Sequence, residues 1–141
     1  MYVRNHFKKI FSGEIHEPLF KKAYERTKNH SKIKLFLGNT EEMLRKIKPD
    51  IEGRCLFWLD AHYSGNGTGR GATECPIVEE LKIIKSYSRN DHVILIDDAR
   101  EFKGQNDYPP IFTVLELIYE INPNYQIEIK NDCIIATPHN E

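Results

Sequence analysis

Three aspartates and a histidine are the residues of this chain with the clearest capacity for chemistry. Asp60, in Asp60-Ala-His62, and the pair Asp97-Asp98 follow directly on two apolar runs, Cys55-Leu-Phe-Trp-Leu59 and His92-Val-Ile-Leu-Ile96. If those runs are neighbouring strands, their ends lie about 4.8 Å apart and the carboxylates converge on one point. Such crowding needs a shared proton or a cation. A hard divalent ion such as Mg²⁺ takes oxygen ligands and keeps waters that a substrate hydroxyl can replace. Asp60, Asp97 and Asp98 are therefore candidate metal ligands. Asp60, His62 and Asp97 are candidate catalytic residues, with His62 as a base or an extra ligand. The structural alternative is that Asp60 caps amides of its own loop and one of the Asp97-Asp98 pair bonds Arg100 or solvent.

A second polar group follows two earlier runs, Phe7-Lys-Lys-Ile-Phe11 and Ile33-Lys-Leu-Phe-Leu37. Glu14 can accept hydrogen bonds from both hydroxyls of a ribose, or it is a solvated loop acid favoured by the next helix's dipole. Gly38 permits close backbone approach to a ligand, and Asn39 either reads an adenine edge or caps a helix. The segment Ser64-Gly-Asn-Gly-Thr-Gly-Arg-Gly71 lies between a strand and a helix. It turns into the helix too late for a dinucleotide fingerprint and lacks the Lys-Ser or Lys-Thr of a Walker loop. It reads as a loop over the crevice with Arg70 facing an anionic group, or as a plain flexible connection.

The elements that must position these residues follow from periodicity. Pro18 opens a helical face of Leu19, Phe20, Ala23 and Tyr24, and Asn39 with Glu42 resembles a capping box. Pro76 precedes the stripe Ile77, Val78, Leu81, Ile84, and Pro109-Pro110 precede Ile111, Val114, Leu115, Ile118 and Ile121. Tyr125 to Lys130 and Cys133 to Thr137, separated only by Asn131-Asp132, suit a two-residue hairpin. Four strand-helix units and a closing antiparallel hairpin predict a doubly wound α/β fold, with a mainly parallel sheet and helices on both faces. One domain over residues 1–141 is expected. The net charge of −1 gives no drive toward nucleic acid, and no apolar run approaches the roughly 20 residues of a membrane span. The odd set of three cysteines, without CxxC spacing, argues against a disulfide framework and points to the cytoplasm.

Taken in order, Phe7 to Ile15, Leu37 to Leu44, Leu56 to Tyr63 and His92 to Arg100, with the terminal hairpin, resemble class I S-adenosylmethionine-dependent methyltransferases of Rossmann-like fold. The resemblance implies that Glu14 binds the ribose of S-adenosylmethionine, that Ile15 packs on adenine, and that Gly38-Asn39-Thr40 lie at the adenine end. It implies that Asp60, Asp97 and Asp98 match the Mg²⁺-site acids of the cation-dependent O-methyltransferase branch, acting on a small hydroxylated substrate. Family members begin with a strand and a Gly-x-Gly turn that hold the methionine end, and residues 1–6 are too short to supply them. The expectation is thus an N-terminally truncated domain, inactive alone, whose exposed sheet edges favour a homo-oligomer. Two other readings stand beside it. Asp60-Ala-His62 also resembles the Asp-x-His metal motif of nucleotide-sugar glycosyltransferases, and the chain could be a non-catalytic binding or assembly remnant.

Overall fold

The computed structural model describes residues 5–60 and 75–139; His62, Arg70 and the glycine-rich segment lie outside them. The order of elements is β1 (Ile10–Glu14), α1 (Glu17–Thr27), β2 (Ile33–Leu37), α2 (Thr40–Ile47), β3 (Leu56–Leu59), α3 (Ile77–Lys85), β4 (Val93–Ile96), α4 (Ile111–Ile121), β5 (Tyr125–Lys130) and β6 (Cys133–Pro138). This is an α/β fold. It divides into two compact units, Met1–Ile47 and Lys48–Glu141.

Local chemistry starts and stops these elements where expected. Pro18 lies in the first turn of α1, where its missing N–H is no loss. Asn39 Oδ1 accepts the Glu42 N–H at 2.8 Å and caps α2. Pro76 and Pro110 immediately precede α3 and α4. In the hairpin turn, Asn131 and Asp132 both have positive φ, 51° and 62°, as a type I′ turn requires. The first strand departs from expectation. Pairing with β2 runs from Ile10↔Ile33 to Glu14↔Leu37, so the strand is shifted toward the C-terminus and Glu14 is its last residue rather than a loop acid beyond it. The partner strand, not the local apolar run, sets its extent.

Among the described residues the strands form two hydrogen-bonded sheets instead of the one expected. In the first unit, β1 and β2 are parallel, and Gly13 lets α2 come close: a Cβ there would stand 3.3 Å from Met43 Sδ. In the second unit the order is β3-β4-β6-β5, with β3 parallel to β4 and the hairpin antiparallel. Register and alternation put Phe57, Leu59, Ile94, Ile96, Ile134 and Ala136 on one face, and all are buried. Ile77, Leu81 and Ile84 of α3, with Val114, Ile118 and Ile121 of α4, supply the rest of this core. Full burial of each large side chain contributes about 1.5–3 kcal/mol.

At the foot of β3 and β4 sits His92, fully buried. Its Nδ1 accepts the Cys55 N–H at 3.1 Å, its carbonyl accepts the Tyr125 hydroxyl at 2.6 Å, and Phe57 and Tyr87 meet its ring edge-on. An acceptor Nδ1 requires the neutral ring with its proton on Nε2. Burial holds the imidazole below its ordinary range, with the nearby Asp91 charge opposing in part. A depressed histidine stabilises the fold above its unfolded pKa of 6.5, and that stability is lost as pH falls below it. Urea unfolding from about pH 7.5 to about pH 5.5 should show stability falling by up to ~1.4 kcal/mol per pH unit. His92→Gln should flatten that slope; an unchanged slope would assign the proton uptake to another group.

Candidate functional site

In the first unit, the parallel pairing of β1 and β2 gathers the expected cofactor residues at one end. The Gly38 N–H donates to the Glu14 carbonyl at 3.0 Å, which closes the carboxyl ends of both strands. Glu14, Ile15, Gly38, Asn39 and Thr40 therefore share one rim. Glu14 Oε1 accepts the His16 N–H at 2.8 Å, which orients the carboxylate. A carboxylate has acceptor capacity beyond one such bond. Ile15 is 43% exposed, an apolar side chain available to a flat ring. Gly38 has φ +146°, a conformation that calls for glycine, and a Cβ there would stand 3.3 Å from the tip of the flexible Glu42 side chain. The side-chain oxygen of Asn39 is spent on the helix cap, which leaves its amide nitrogen as the group that could address a ligand.

In the second unit, Leu59 is in register with Ile96, and the Asp97 N–H donates to the Leu59 carbonyl at 3.0 Å. Asp60 and Asp97 are thus the next residues on two adjacent parallel strands. Asp60 is exposed and Asp97 half-buried. Asp97 Oδ1 accepts the Asp98 N–H at 2.9 Å. Asp98 takes the left-handed conformation, φ 57°, and pairs with the Arg100 guanidinium at 2.7 Å. Asp98 is thus held by a cation of its own chain. Among the described residues no three His, Cys, Asp or Glu side chains converge as a metal site. The described acids do not by themselves fit a divalent ion, and His62 lies outside the described residues.

Two residues near this rim have no counterpart in the sequence reading. Asp132, in the hairpin turn, accepts the Arg100 N–H on Oδ1 at 2.9 Å, pairs with the Arg100 guanidinium, and offers its carbonyl to the Ala99 N–H at 2.8 Å. It ties the turn to the segment carrying Asp97 and Asp98. Nothing local marks it, because the contact spans 32 residues. Tyr108 packs against Phe102 at 5.8 Å. Burial first, and then the charges of Cys75, Glu101, Asp98 and Asp60, push its phenol up, so it shares the electrostatic environment of the acids. None of the three cysteines forms a disulfide; Cys75 is buried and Cys55 and Cys133 are half-buried. Burial pushes all of them up, as expected for inert structural cysteines.

The fold is similar to two solved methyltransferase structures. One is a protein assigned as a caffeoyl-CoA O-methyltransferase from Staphylococcus aureus: 14% identity, covering 92% of this chain and 64% of that one, TM-score 0.52. The other is assigned as an rRNA methylase from Clostridium thermocellum: 13% identity, 91% of this chain and 73% of that one, TM-score 0.54. The chain thus spans less than two-thirds of the first structure's length. No protein-family model matches the sequence, and no curated protein matches it. Identities this low establish a shared fold, whereas function must be argued from the site.

The Asp132 clamp has a measurable consequence. Asp132→Ala should destabilise the second unit by about 2 kcal/mol, through a lost charge-assisted bond and strain at a positive φ. Asp132→Asn tolerates that φ, keeps an acceptor and should recover most of the loss. Amide exchange at Arg100 should quicken in the alanine variant, and equal exchange in both variants would remove Asp132 from this role.

Proposed function

We propose that this chain is a methyltransferase-like domain, in which the rim of the first unit binds the adenosine end of S-adenosylmethionine and, taken by themselves, the acids of the second unit hold a hydroxylated ligand. The gathering of Glu14, Ile15, Gly38, Asn39 and Thr40 on one rim at the carboxyl ends of β1 and β2 carries the reading, and the fold shared with two methyltransferase structures along more than nine-tenths of the chain accords with it. Support comes from the placement of each group at the carboxyl ends of adjacent parallel strands, where open α/β sheets bind ligands.

The cofactor would supply an electrophilic methyl group on a sulfonium. Glu14 would hold the ribose hydroxyls, fixed in direction by the His16 N–H. Ile15 would cover one face of the adenine, and Gly38 would let the main chain approach it. Because one Asp97 oxygen is held by the Asp98 N–H, the other is left to orient a substrate hydroxyl and take its proton. Asp60, one strand over, would fix the second side of the same acceptor. A small hydroxylated acceptor suits a pair of carboxylates that can each accept a hydrogen bond. Mg²⁺ is not required by this scheme, and a cytoplasmic location accords with the free thiols.

Calorimetry with S-adenosylhomocysteine tests the reading. Wild-type protein should bind it, with amide shifts at Gly38 and Asn39, and Glu14→Ala should weaken binding roughly tenfold to a hundredfold through the loss of charged hydrogen bonds. Absence of binding by wild-type protein would favour a non-catalytic assembly role. Preferential binding of a nucleotide-diphosphate sugar would favour the glycosyltransferase alternative.

A further inference from the structure

The second unit's sheet has two edges of opposite character. On β5, polar Gln126, Glu128 and Lys130 alternate with apolar residues, as on strands that must stay solvated. On β3, Leu56–Leu59 contains no charge, proline or bulge. The Val93 N–H donates to the Cys55 carbonyl and the Asp97 N–H to the Leu59 carbonyl, so the odd-numbered residues turn their main chain toward β4. Leu56 and Trp58 turn theirs outward, and their side chains are 42% and 61% exposed. Among the described residues, an inner-strand sequence therefore stands at an edge.

The residues along that edge are complementary to themselves in one register. From Arg54 to Asp60 the outward positions read Arg54, Leu56, Trp58, Asp60. Antiparallel pairing about a two-fold axis at Phe57 sets Leu56 against Trp58 of the partner copy, and Arg54 against Asp60 of the partner copy, each twice. Leu56 and Trp58 then satisfy one another's outward N–H and C=O groups. The Arg54 side chain is 47% exposed and already touches Asp91 at 3.3 Å, so it can reach a second carboxylate without leaving the first. Shifting the register by two residues in either direction sets Arg54 or Asp60 against an apolar position and breaks both charge pairs.

We infer that this chain forms a two-fold dimer by antiparallel β3–β3 pairing, in which Arg54 of one copy pairs with Asp60 of the other. The inference does not depend on the methyl-transfer reading. It adds a cation from the partner copy beside Asp60. The segment is short, below the roughly 1,000 Å² of a stable interface, so monomer and dimer exchange with concentration.

Sedimentation velocity from micromolar to near-millimolar protein tests this, alongside fluorescence of Trp58, the sole tryptophan. Wild-type protein should pass from monomer to dimer with a blue shift as Trp58 is covered. Asp60→Arg and Arg54→Asp place like charges opposite each other, and each alone should weaken association roughly tenfold or more. An equimolar mixture of the two restores both opposite-charge pairs and should dimerise like wild type. Ile129→Lys, on the other sheet edge, should change nothing. Circular dichroism verifies that each variant is folded; should one unfold, Leu56→Lys replaces it and should abolish both dimer and blue shift. A wild-type monomer at every concentration, assemblies larger than dimers, a dimer without a blue shift, or a mixture no tighter than either variant would each overturn the inference.

Discussion

The parallel pairing of β3 with β4 is the constraint on which both the core and the acids of the second unit depend. It is closed at both ends. At the foot, the Val93 N–H meets the Cys55 carbonyl while the Cys55 N–H meets buried His92; at the top, the Asp97 N–H meets the Leu59 carbonyl. Side chains alternate with period two, so a slip of one residue would turn Leu56 and Trp58 inward and expel Phe57 and Leu59. The same slip would part Asp60 from Asp97. Packing and candidate chemistry are thus fixed by one register, and the large apolar cost of losing it protects an arrangement of exposed acids that could not hold itself together.

What could be read from the sequence was what short-range chemistry decides. Pro18, Asn39, Pro76 and Pro110 mark helix starts because an orphan amide or a fixed φ acts within a turn. Asn131-Asp132 marks its turn because both residues tolerate positive φ. The Asp98–Arg100 ion pair was open to anticipation for the same reason, being two residues apart. The extent of β1 was not legible, since pairing with β2 carries it through Glu14 while the apolar run ends at Phe11. Nor was the division into two sheets, because periodicity identifies strands but not their neighbours. Asn39 shows how two readings of one residue compete: its oxygen serves the helix cap, and that bond limits what it can offer a ligand.

Charge around the β4 end is unevenly distributed. Arg100 reaches Asp98, Glu101 and Asp132, so a single guanidinium serves three carboxylates. These ion pairs are partly exposed and individually weak, yet the network shares one ordered side chain, which lowers the entropy cost of each pair. Its effect is directional: it draws Asp98 away from the strand end and leaves Asp97, whose first oxygen is taken by the next amide, as the acid on β4 best placed to meet Asp60's neighbourhood.

Backbone strain collects at the same place. Asp98, Asn131 and Asp132 all have positive φ without being glycine, which costs each about 1 kcal/mol, less for Asn and Asp than for other residues. Two strained segments distant in sequence are bound face to face, by the Ala99 and Arg100 amides on Asp132. The Asn131 and Asp132 conformations serve the hairpin turn, whereas that of Asp98 is not needed for the core, whose buried residues end at Ile96 and begin again at Ala99. Strain retained where packing does not demand it is a mark of positioning, and what it positions here is the Asp97-Asp98 turn. The hairpin therefore does more than close the sheet: its turn is the anvil against which the acid-bearing loop is held.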